Sequence, residues 1–119
     1  MSQAPSYDGG CHCGAVRFTV RTDLKQLFDC NCSRCRRVAA VMTAVPAADF
    51  ELLQGEDVLQ PYRFNHHAIE HLFCREGGIQ SFSRGSGPDG PTVVLNVGCL
   101  EGVPVVERSG ITHFDGASI

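Results

Sequence analysis

The sequence predicts a mainly β domain, one pair of packed layers with a short helical turn, and three observations lead there. Thirteen Gly and six Pro among 119 residues cut the chain into short segments, which suits strands and turns better than long helices. Apolar residues alternate with polar ones in several of these segments, the signature of half-buried strands. A single short stretch, 33–41, reads as helical, with Ser33 placed as its N-cap.

The elements follow in order. In 15–22, Val16, Phe18 and Val20 share one face while Arg17, Thr19 and Arg21 share the other. Segments 59–65, 68–74, 79–84 and 92–98 have strand length. In the last, Val93, Leu95 and Val97 alternate with Thr92, Val94 and Asn96, a mostly apolar run suited to a more buried strand. The run Gly85-Ser86-Gly87-Pro88-Asp89-Gly90-Pro91 reads as a loop. His113-Phe114-Asp115-Gly116 reads as a terminal strand and turn without an assigned role. No repeat of fixed period occurs, although Cys-x-Cys appears twice. The length allows a single domain, residues 1–119.

Composition narrows the function classes. With 43% apolar and 19% charged residues the chain is an ordinary globular one. It has no apolar run long enough for a transmembrane helix, so no membrane partner is expected. Residues 1–10 are polar and lack a secretory signal pattern. That predicts a cytoplasmic, reducing location in which thiols persist. A formal net charge of -3 disfavours nucleic acid, and the lack of Trp with only two Tyr argues against a base-stacking platform. A homo-oligomer is compatible with the sequence.

Seven cysteines are an odd number for a disulfide framework. Six of them cluster, in Cys11-His12-Cys13-Gly14, Cys30-Asn31-Cys32-Ser33-Arg34-Cys35 and Cys74-Arg75-Glu76-Gly77. A Cys-x-Cys pair in extended chain presents both sulfurs on one face, and Zn²⁺ favours such sulfur ligands. Cys30, Cys32 and Cys35 offer three ligands without an obvious fourth. Structural zinc sites are closed by four ligands, whereas catalytic ones keep a position open. Spacing alone leaves both readings standing. Three thiolates on Zn²⁺ carry a net negative charge, which Arg34, Arg36 and Arg37 would stabilise while attracting a carboxylate-bearing thiol. Asn65-His66-His67 reads as a polar surface turn.

Three segments together resemble one family. They are Gly10-Cys11-His12-Cys13-Gly14-Ala15-Val16-Arg17, Cys30-Asn31-Cys32-Ser33-Arg34-Cys35-Arg36-Arg37, and Phe73-Cys74 through Gly78-Ile79-Gln80-Ser81-Phe82. In this order they resemble the glutathione-dependent formaldehyde-activating enzymes, a group that includes the centromere protein V-like domains. The likeness runs from about Gly9 to Asn96-Val97-Gly98-Cys99-Leu100. It implies an Mss4-like zinc-binding β-sandwich. It also implies a structural zinc on Cys11, Cys13 and Cys74, whose fourth ligand falls on Gly77, and a catalytic zinc on Cys30, Cys32 and Cys35, open to the thiol of glutathione. The family's founding activity is condensation of formaldehyde with glutathione, classed as a carbon–sulfur lyase.

Gly77 cannot ligate, so the first site is expected to bind zinc more weakly than a four-sulfur site. Water, a histidine (His12, His66, His67 or His71) or Cys99 are the candidate replacements. The leading expectation is a zinc-dependent carbon–sulfur lyase with Arg34, Arg36 and Arg37 binding substrate. The rival is a non-catalytic zinc-stabilised binding or scaffold domain. A third reading is a metal-free domain in which Cys30 and Cys35 cross-link on oxidation.

Overall fold

The computed structural model describes residues 4–64 and 69–118. Along the chain run β1 (Ser6–Gly10), β2 (Arg17–Arg21), β3 (Phe28–Cys30), the helical turn α1 (Cys35–Val38), β4 (Met42–Pro46) and β5 (Phe50–Gln54). They are followed by β6 (Leu59–Tyr62), β7 (Glu70–Cys74), β8 (Gln80–Gly87), β9 (Gly90–Asn96) and β10 (Thr112–Phe114). One sheet has the order β1-β2-β5 and the other β10-β3-β4-β9-β8-β7-β6. Neighbours are antiparallel except β10, which lies parallel to β3. The mainly β, Mss4-like sandwich with a short helical turn is therefore the observed architecture.

The alternation read from the sequence sets the core. Val16, Phe18 and Val20 are 0%, 0% and 1% exposed, and Val93, Leu95 and Val97 are equally enclosed. Strand β9 is buried because it sits between β4 and β8, inside the larger sheet. The sheets meet through three rings: Phe18 and Phe50 from the small sheet, Phe82 from the large one. Their centroids lie 4.7–6.0 Å apart in tilted and edge-on arrangements, the separations at which aromatic quadrupoles attract.

Three sequence expectations change. The 85–91 loop is instead a hairpin: Gly85 pairs with Thr92, Ser86 with Pro91 and Gly87 with Gly90 across a two-residue turn. Gly and Pro are tolerated because β7 pairs with β8 only as far as Arg84 and β4 with β9 only from Thr92. Beyond those positions the hairpin has no outer strand neighbour among the described residues whose hydrogen bonds Pro would break. The helix expected over 33–41 is one turn, and Ser33 does not cap it. The Cys32 sulfur instead accepts the Cys35 amide at 3.3 Å, and Ala39 in left-handed conformation (φ 58°) ends the turn. Asn65, His66, His67 and Ala68 lie outside the described residues.

His71 sits on β7 opposite Tyr62. It is 7% exposed and stacks on Phe64 with centroids 5.3 Å apart. Burial first, and then the Arg34 charge, push its pKa down to about 4 from 6.5. The unfolded chain therefore binds an extra proton between those values. Stability should fall as pH drops from 6.5 towards about 4, and His71→Gln should flatten that slope in denaturant titrations. Phe82→Ala should cost about 3–5 kcal/mol. Leu53→Ala, at a 57% exposed position, should cost less than about 0.5 kcal/mol in the same urea titration.

Candidate metal centres

The first sulfur cluster joins the two sheets. Cys11 and Cys13 lie in the turn after β1, and Cys74 ends β7 in the other sheet. Their Sγ atoms all fall within 4.8 Å of one another, with Cys13 and Cys74 at 3.6 Å. A Zn–S bond of about 2.3 Å gives a tetrahedral edge of about 3.8 Å, so this donor set fits zinc. Local backbone geometry builds the cluster. The Gly14 N–H donates to the Cys11 carbonyl at 3.0 Å, and the Gly78 N–H to the Cys74 carbonyl at 2.8 Å. Both glycines are left-handed, at φ 83° and 81°, conformations open to glycine at no steric cost.

These turns also aim amides at sulfur. Gly77 N–H reaches Cys74 Sγ at 3.4 Å and Ala15 N–H reaches Cys13 Sγ at 3.5 Å. Burial works against the Cys74 thiolate, but the Gly77 and Glu76 amides outweigh it and lower its pKa. At Cys13 the Ala15 amide favours the thiolate, yet burial and the neighbouring sulfurs prevail and the pKa rises. Cys74 is thus the readier of these two to ionise, and a bound cation would favour the Cys13 thiolate.

Position 77 points into this cluster. A Cβ placed on Gly77 would lie 2.5 Å from Cys11 Sγ and 3.0 Å from Cys13 Sγ. The turn keeps its amides and lacks the ligand. No replacement joins the three sulfurs among the described residues: Cys99, His12 and His71 are not part of the set. Cys99 lies in the short turn after β9, where burial raises its thiol pKa. His66 and His67 lie outside the described residues.

The second cluster sits where β3 runs into α1. The Cys30, Cys32 and Cys35 sulfurs also lie within 4.8 Å of one another, all three half-buried. Cys32 N–H donates to Cys30 Sγ at 3.5 Å, and Cys35 N–H to Cys32 Sγ at 3.3 Å. Burial opposes the Cys32 thiolate, but the Cys35 and Arg34 amides and the flanking thiols lower its pKa. Burial, reinforced by the other two sulfurs, drives the Cys35 pKa well above its ordinary value. This set too fits zinc, with three sulfurs and no fourth Cys, His, Asp or Glu joining them among the described residues.

Beside the Cys32–Cys35 loop opens a cavity of about 340 Å³ lined by Ser33, Arg34, Arg37, Val38, Tyr62 and Phe64. The Arg34 guanidinium lies 4.8 Å over the Tyr62 ring and donates to the Gln80 side chain. Its Nε is buried without a hydrogen-bonding partner among the described residues. Arg37 donates to the Ser33 carbonyl at 2.6 Å. Arg36 is exposed and is not among the cavity's lining residues. The structure thus brings Arg34 and Arg37 together and leaves Arg36 apart. Tyr62, Phe64 and Gln80 were not foreseen from the sequence, which gives no local signal for them.

Two comparisons bear on the chain. The family model described as glutathione-dependent formaldehyde-activating enzyme matches residues 6–111. The crystal structure of a Rhodobacter sphaeroides protein superposes with a TM-score of 0.79 at 29% identity, covering 89% of this chain and 98% of that one.

Metal removal tests the loss at position 77. A mild chelator should strip zinc from the Cys11/Cys13/Cys74 centre more readily than from a four-sulfur site. Two zinc ions per chain that both resist such a chelator would contradict that expectation.

Proposed function

The chain belongs to the glutathione-dependent formaldehyde-activating enzyme family, and from that premise we propose that it is a zinc-dependent carbon–sulfur lyase acting on adducts of glutathione, or a similar thiol, with an aldehyde. The observation that carries this reading is the three-sulfur set of Cys30, Cys32 and Cys35, which no fourth protein ligand joins among the described residues. Zinc held there supplies Lewis acidity that lowers the pKa of a thiol beside it.

The chain's own residues do the rest. The amides on Cys30 and Cys32 sulfur keep the ligating thiolates in place. Arg34, fixed by Gln80 and Tyr62, and Arg37 bind the carboxylates of the thiol substrate. Arg36 contributes charge from outside the cavity. In the condensation the thiolate sulfur forms a bond to the aldehyde carbon. The C=O π electrons pass to oxygen, which takes a proton from solvent. Cleavage is the reverse, and neither direction changes an oxidation state. The reading also puts the protein in a reducing, cytoplasmic setting, where its cysteines stay out of disulfides.

The missing ligand at Gly77 favours the second reading, a zinc-stabilised scaffold that does not turn over substrate. Exchange spectroscopy of formaldehyde with glutathione by NMR separates the two. The lyase reading expects faster interconversion with the S-hydroxymethyl adduct and loss of that effect in Cys32→Ala, which should retain metal on Cys11, Cys13 and Cys74. Arg34→Met and Arg37→Met should each weaken glutathione binding about tenfold, the size of a lost charge-assisted hydrogen bond. An exchange rate equal to the uncatalysed one would leave the scaffold.

A further inference from the structure

The segment that follows β10 lies against the Cys30 loop, although 84 residues separate Asn31 from Asp115. Strand β10 pairs in parallel with β3, setting Phe114 opposite Cys30. On the other side of that strand pair Asp29 accepts from Arg108 at 3.2 Å and pairs with His113 Nδ1 at 2.8 Å. Asn31, between two of the zinc-binding cysteines, then fastens the turn at 115–118. Its backbone N–H donates to the Phe114 carbonyl at 3.2 Å. Its Nδ2 donates to Asp115 Oδ1 at 3.0 Å, while its Oδ1 accepts the Ala117 N–H at 2.9 Å. Only one orientation of the amide satisfies both bonds. Ser118 Oγ closes the turn by donating to Asp115 Oδ2 at 2.7 Å.

The fastened turn lies directly on the sulfur cluster. A Cβ added to Gly116 would fall inside contact distance of Cys30 Sγ and 3.3 Å from Cys32 Cβ. The turn at position 116 therefore packs directly on Cys30, with no room for a side chain between them. We propose that the 115–118 turn is a wall of the Cys30/Cys32/Cys35 centre, and that Asn31 is the positioning residue holding it there, so that the turn limits the bulk of the thiol admitted. The size selection rests on the reading of this centre as the thiol site; the wall does not.

The wall is tested on the full zinc-loaded chain, with Asn31→Ala and with Asp115→Ala, which leaves the cysteine loop untouched. Iodoacetamide alkylation of each cysteine is followed by mass spectrometry. Alkylation of Cys30 should accelerate at least about fivefold in either variant, since each removes two hydrogen bonds of the docked turn and so raises how often it undocks. Cys74 alkylation should not change, which excludes general unfolding. Unaltered Cys30 protection in both variants overturns the wall.

Size selection is read separately as the ratio of affinities for glutathione and mercaptoethanol. That ratio should rise at least about fivefold in Asn31→Ala on the same hydrogen-bond argument. An unchanged ratio overturns the selection. If neither thiol binds the unmodified protein while the variants expose Cys30, the thiol reading and the selection fail together and the wall stands.

Discussion

The site geometry depends on a trio of sulfurs gathered between the two sheets, placed to link them through a metal. Cys11 and Cys13 come from the turn after β1, and Cys74 from the end of β7. Without that link the three-stranded sheet is held to the seven-stranded one by the Phe18, Phe50 and Phe82 cluster and its aliphatic surround. A domain of 119 residues buries a modest core, so a metal held by those three sulfurs would add to its stability. Cys74 also opens the turn from β7 to β8, the strands that carry His71 and the Gln80 side chain to which Arg34 donates.

The two cysteine trios are alike in donor set and differ in surroundings. At the first, the turn donates an amide to Cys74 sulfur, and the backbone at position 77 packs so closely on Cys11 and Cys13 that a side chain there would require a shift. At the second, the backbone leads into a helical turn whose first amide bonds to sulfur, and a cavity carrying two arginines opens beside it. A three-thiolate zinc carries net negative charge, and the nearby guanidiniums offset it. The proposed binding of an anionic thiol at the second trio, and not at the first, rests on that cationic cavity.

Much of this was legible in the residues, and the exceptions have physical causes. Val16, Phe18, Val20 and the 92–97 alternation announced their strands because one face of each is packed. Strand β4 was hidden because Ala39, Ala40 and Val41 continue the helical reading, which ends only where Ala39 turns left-handed. The Gly- and Pro-rich hairpin tip was misread as a loop because its tolerance depends on where the neighbouring strands stop. Strand β10 depends on a parallel partner far away in the chain. Cysteine spacing gave both trios, and family likeness placed the missing ligand at Gly77. The 115–118 turn and the aromatic side of the cavity arise from tertiary approach, which no local pattern encodes.

The central claim is that Cys30, Cys32 and Cys35 hold zinc with a position open to an exogenous thiol. Zinc-edge absorption of the holo protein, recorded while glutathione is added, tests it most directly. The account predicts one additional zinc–sulfur bond that appears with glutathione and is lost in Cys32→Ala. An unchanged zinc environment up to millimolar glutathione, or a new bond that persists in Cys32→Ala, would contradict it.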